Sequence, residues 1–79
     1  MAVADTEQDW AHRARRFLRA KIKRAEISYA ELAERLKQHG LHETEASIAN
    51  KLSRGTFAAT FFLATMKAIG RQTVNVEEI

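Results

Sequence analysis

The chain has no cysteine and no proline, and only three of its 79 residues are glycine. Without cysteine, disulfides and thiolate zinc sites are excluded, and a reducing cytoplasm is the expected setting. Without proline, punctuation falls to Gly40, Gly55 and Gly70, each suited to the left-handed residue that ends a helix. No apolar run approaches the roughly 20 residues of a membrane span. The opening MAVADTEQDW is acidic where a signal peptide is basic. Aromatics are scarce too: four Phe, one Trp and one Tyr.

What is present is the balance of a soluble globule, 46% hydrophobic and 29% charged. A chain this short supports one small core, so residues 1–79 read as a single domain. Three glycine stops between amphipathic stretches give an all-α reading.

The charge is distributed unevenly. Net charge is +3, and seven of the thirteen Lys and Arg fall between positions 13 and 24: Arg13, Arg15, Arg16, Arg19, Lys21, Lys23 and Arg24. The acids lie elsewhere. This asymmetry favours an anionic partner, against the plainer reading of a solvated helix face.

The first helix is expected over 5–25, capped by Asp5 or Thr6, with Trp10, Ala14, Phe17, Leu18, Ile22 and Ala25 on one stripe. Its cations spread over the other side, with Lys21 intruding on the apolar one. A second helix, 28–39, opens on Ser28-Tyr29-Ala30-Glu31, a capping-box pattern, and packs through Ala30, Leu32, Ala33 and Leu36. Thr44 caps a third, 44–54, whose inward residues are Ala46 or Ile48, Ala49 and Leu52. A fourth, 56–69, is capped by Thr56 and apolar almost all round, which makes it central to the core or part of a dimer interface. The tail 72–76 alternates polar with β-branched residues and reads as a short strand pairing across a two-fold axis.

Chemistry of the catalytic kind has little support. Ser28, Ser47 and Ser53 lack an evident His and Asp constellation, so no enzyme is expected. His39, His42 and Glu43 make a weak metal set, and no cofactor is expected.

The second and third helices carry the functional signal. A capped helix, a glycine-marked turn and a second capped helix with short polar and basic side chains fit a helix-turn-helix that enters the major groove. The segment Tyr29-Ala30-Glu31-Leu32-Ala33, with Ile48 to Gly55 after it, resembles the lambda-repressor-like (Cro and repressor type) helix-turn-helix superfamily, over roughly Ile27 to Gly70. More narrowly, the run from Glu45 to Phe57 resembles a small bacterial family of unknown function. Here Ala33 to Gly40 is seven residues and Gly40 to Ile48 is eight, so helix two and the turn are both longer than in the superfamily. The resemblance puts Thr44, Glu45, Ser47, Asn50, Lys51 and Arg54 at or near base edges and phosphates, with Glu45 tolerated only if it accepts from a cytosine amino group.

The expectation is a small cytoplasmic DNA-binding regulator, a homodimer or higher homo-oligomer, contacting double-stranded DNA through Thr44, Ser47, Asn50, Lys51 and Arg54. Arg16, Arg19 and Lys23 would add phosphate contacts, and Phe61, Phe62, Met66, Val74 and Val76 would form the dimer or partner interface. A protein-interaction module using the apolar helix 56–69 and the tail is the alternative. An arginine-rich helix entering an RNA groove is a third reading, weakened by the want of aromatics to stack bases.

Overall fold

The computed structural model describes residues 6–79. Four helices follow one another, α1 (Glu7–Arg24), α2 (Tyr29–Gln38), α3 (Glu45–Arg54) and α4 (Ala59–Ala68), and then a 3-10 turn, Val76–Glu78. The architecture is all-helical, with no strand among the described residues. No helix among them is long and apolar enough to cross a membrane.

Side-chain caps start three of the helices by satisfying otherwise orphaned backbone donors. Thr6 accepts from Asp9 N at 3.1 Å, Ser28 from Glu31 N at 3.1 Å and Thr44 from Ser47 N at 3.0 Å. Asp5, the other cap considered for α1, lies outside the described residues. At Ser28 only half of the expected box forms, because Glu31 bonds Arg35 at 3.2 Å instead of reaching back. The complete box belongs to α3, where Ser47 Oγ accepts from Thr44 N at 2.8 Å.

The helix ends follow the glycines, with one exception. Leu41 N reaches Leu36 O and Arg71 N reaches Met66 O, closing α2 and α4 by the same return bond around Gly40 and Gly70. At the end of α1 it is Glu26 that takes a positive φ of 59°, uncommon for a residue with a side chain. Thr56 does not cap α4. That helix starts later, at Ala59, with no side-chain cap. Residues 56–58 stay outside it and lay Phe57 against Phe61 and Phe62, with centroids 5.5 and 6.4 Å apart.

The core is built from Phe17, Leu18 and Ile22 of α1, Leu32 and Leu36 of α2, Ile48 and Leu52 of α3, and Phe61 and Met66 of α4. α1 packs on α3, α3 on α2, and α2 on α4. Trp10, expected on the buried stripe, is 51% exposed near the start of α1, with the Arg13 guanidinium over its ring. Ala30, Ala46 and Ala49, also expected inward, are exposed. Among the buried side chains of the described residues is one polar one: Thr65, whose Oγ1 has no hydrogen-bond partner among those residues.

In the C-terminal half, α4 takes the first of its two expected places, in the core, and the strand expected for the tail is corrected. Phe61 and Met66 are core residues, and Phe62 is half-buried 6.2 Å from the Phe17 ring. The apolar surface of α4 is therefore largely covered by the chain itself. The tail 72–76 forms no strand. Val74 packs singly against the core, and Asn75 accepts from Glu77 N at 3.0 Å, starting the 3-10 turn that leaves Val76 70% exposed. An ion pair from Lys21 to Glu78, 2.8 Å, fastens that turn to α1.

Candidate nucleic-acid interface

The position of α3 is fixed at both ends. At its start, Glu43 accepts from Ser47 Oγ at 2.6 Å and from Lys51 Nζ at 2.8 and 2.9 Å. Ser47 and Lys51, four apart on α3, share one flank, and Glu43, just before the Thr44 cap, folds back along it. Burial alone would raise the Glu43 carboxyl. The hydrogen bonds from Lys51 and Ser47, with the Lys51 charge, outweigh it and hold the group below its ordinary value. The Lys51 ammonium also lies over the Phe61 ring, 5.4 Å from its centroid.

At its end, α3 runs into α1. Gly55 has a φ of 72° and is buried, and a Cβ there would overlap the backbone carbonyl of Ala11. Beside it, Arg15 Nη1 donates to Ser53 O at 2.8 Å, placing a cation at the negative end of the α3 dipole. With Ile48 and Leu52 inside, the side of α3 left in solvent carries Ala46, Ala49, Asn50 and Ser53, with Arg54 next to them. Short side chains there let the helix backbone approach another surface closely.

The cations of α1 divide into two groups. Arg13 donates to Ile79 O at 3.3 Å, Arg15 to Ser53 O, and Lys21 pairs with Glu78. Arg16, Arg19, Lys23 and Arg24 are exposed, and their side chains have no hydrogen-bond or ion-pair partner among the described residues. At 100° per residue, His12, Arg16, Arg19 and Lys23 form a stripe within about 60° of arc and roughly 16 Å long. That stripe adjoins the Ala11 and Arg15 side of α1, the side facing α3. A polar groove of about 310 Å³ joins the two surfaces, lined by Gln8, Asp9, Ala11, His12, Arg15 and Arg54.

Of the residues expected to meet DNA, Asn50, Arg54, Arg16, Arg19 and Lys23 are exposed along these two contiguous surfaces. Thr44 and Ser47 serve the α3 cap, and Lys51 is held by Glu43. Glu45 is exposed on the first turn of α3. Phe61, Phe62, Met66, Val74 and Val76 do not come together as one exposed patch. Sequence reasoning missed Glu43 and Arg15. A carboxylate just before the Thr44 cap, with Ser47 and Lys51 on one flank of the helix after it, was a local signal for the first, whereas nothing local links Arg15 to a carbonyl 38 residues away.

No curated protein and no solved structure matches the chain. A family model does match residues 10–74, which run from Trp10 in α1 through all four helices to Val74. The chain belongs to the family DUF6471, a domain of unknown function.

Proposed function

We propose that this chain is a small cytoplasmic DNA-binding module of the lambda-repressor-like helix-turn-helix kind, regulating transcription without a catalytic step. The exposed side of α3 enters the major groove, and the α1 stripe lies along the phosphate backbone. The observation that carries this reading is the contiguity of Arg54 on α3 with His12 on α1, which line one groove. It joins a helix face with short side chains to a row of unpaired cations. Asn50 has the donor and acceptor pattern for adenine, and Arg54 that for guanine or a phosphate.

Four cations without a side-chain hydrogen-bond or ion-pair partner among the described residues, Arg16, Arg19, Lys23 and Arg54, contact phosphates in this arrangement. Log affinity then falls with log salt at a slope of about −3 to −4 per protomer. Fluorescence anisotropy with a random duplex at low and near-physiological salt tests it. Loss of salt-sensitive binding in an Asn50/Arg54 double alanine variant supports α3 as the reading helix. Binding kept in that variant but lost in Arg16/Arg19/Lys23 triple alanine moves the contact to α1 alone. No binding at low salt overturns the proposal.

A homodimer, which a two-fold DNA site calls for, has to use exposed side chains such as Leu63, 64% exposed, in place of Phe61 and Met66. Sedimentation equilibrium of the parent and a Leu63→Lys variant tests that part separately. The protein-interaction reading keeps one observation in its favour, an open groove of about 570 Å³ between Trp10, Ala14 and Phe57. A duplex-binding null together with a Trp10-dependent protein contact would favour it.

A further inference from the structure

A second group of cations lies on the other flank of α1. Lys21 and Arg24, on its last turn, line with Arg71, just after α4, a pocket of about 250 Å³ that Ala25, Ile69 and Gly70 complete. At 100° per residue, Lys21 lies opposite the Arg16, Arg19 and Lys23 stripe, and Arg24 lies about 80–140° round from its members. Glu78 sits on this group, with its Oε2 2.8 Å from Lys21 Nζ.

We propose that Lys21, Arg24 and Arg71 form a phosphate-binding site that Glu78 occupies as an internal, displaceable anion. The site is separate from the α1–α3 surface and does not rest on the DNA reading.

Three observations carry it. The Lys21 side chain is only 13% exposed and lies over the Phe17 ring, so its ammonium is presented in a fixed place. Among the described residues Glu78 bonds Lys21, and its carboxyl is held below its ordinary value first by Lys21 and then by the charges of Arg24 and Arg71. The side chains of Arg24 and Arg71 have no hydrogen-bond or ion-pair partner among the described residues. Arg24 and Arg71 line the pocket beside the Lys21–Glu78 pair, so its cations outnumber the one carboxylate paired there.

A phosphate suits that excess better than a carboxylate, offering more acceptor oxygens and up to two charges to guanidinium groups. The opposing influence is the negative end of α1 and α4, whose C-termini both lie here. Much of it is already answered. The carbonyls of Lys21, Ile22 and Lys23 accept from Ala25 N and Glu26 N, and those of Met66 and Lys67 accept from Arg71 N and Gly70 N. The Glu78 side chain is 49% exposed, so its carboxylate can swing off Lys21 while Val74 and Ile79 keep the tail packed against the core.

The test is a ¹H–¹⁵N correlation titration of the full chain with inorganic phosphate at constant ionic strength, repeated with a short duplex. Parent, Glu78→Gln and Arg24→Ala/Arg71→Ala proteins are compared. The expected result is saturable shifts at the Ala25, Gly70 and Arg71 amides. Glu78→Gln should bind about tenfold more tightly, since the internal competitor no longer holds the site. The double variant should show no saturable shift while its other resonances stay folded. Shifts from duplex at the same amides identify a backbone phosphodiester as the source, and shifts from phosphate alone identify a free anion. No saturable shift in either parent or Glu78→Gln overturns the site. Equal affinity in those two overturns the occupancy by Glu78. Because Arg16, Arg19, Lys23, Asn50 and Arg54 are untouched, failure here is distinguishable from failure of DNA binding.

Discussion

Gly55 lies so close under α1 that a Cβ at its position would run into the carbonyl of Ala11. Its left-handed φ of 72° adds a second constraint, since that conformation disfavours any residue with a side chain. Gly55→Ala should therefore cost about 3 kcal/mol or more, combining backbone strain with overpacking. Urea denaturation checks it, with the midpoint falling and the slope unchanged. An unaltered midpoint would mean that α3 does not end against α1.

The Glu43 carboxylate holds the start of α3, so its removal acts on stability before it acts on binding. Glu43→Gln should lower stability by about 1–3 kcal/mol at neutral pH, the range for losing hydrogen bonds to a charged group. The folded protein holds this carboxyl below its ordinary value of 4.5. Its contribution is therefore complete above pH 4.5 and is lost as pH falls through the lower folded value. Thermal melts between neutral and acid pH should show a steeper acid decline in the parent than in Glu43→Gln. Parallel curves would remove Glu43 from that role.

The two classes of cation on α1 should separate experimentally. Arg15→Ala removes the donor to Ser53 O and should cost about 1 kcal/mol of stability, with the salt slope of duplex binding unchanged. Arg16→Ala/Arg19→Ala/Lys23→Ala should leave the urea midpoint nearly unmoved and flatten the salt slope by about three. A triple variant with the parent's slope would take α1 out of the interface.

Thr65 carries a buried hydroxyl without a partner among the described residues. Thr65→Val keeps the shape and removes the desolvated group, so it should raise stability by about 1 kcal/mol. Calorimetry of the two proteins decides it. A loss of stability would point to a hydrogen bond formed by that hydroxyl in solution.

Much of the scaffold could be read from local chemistry. Ser28, Thr44, Gly40, Gly55 and Gly70 mark helix boundaries because capping and left-handed turns depend on one residue and its neighbours. The α1 residues Phe17, Leu18 and Ile22 followed from periodicity in the same way. The misreadings share a different cause. Thr56 can cap a helix, but Phe57 gains more by lying across Phe61 and Phe62, and that gain is tertiary. Val74 and Val76 look like strand residues, yet the cations of α1 capture the tail through Ile79 O and Glu78.

The candidate surface was half legible for the same reason. Asn50, Arg54, Arg16, Arg19 and Lys23 are exposed as periodicity demands. Lys51 faces the same solvent on a helical wheel until Glu43, eight residues earlier, draws it back. A basic residue near a groove is available only if no acid of the fold reaches it first.

The clamp of Gly55 and Arg15 on the end of α3 has a consequence for how binding would proceed. With α3 fastened to α1 at one end and to the Glu43 turn at the other, the two surfaces keep one mutual orientation with or without a partner. The ordering cost of aligning them is met during folding, so association needs no hinge motion or segment folding. Docking should then behave as the meeting of two rigid bodies. The encounter rate should follow charge and diffusion, and the heat-capacity change should reflect only the surface covered at contact.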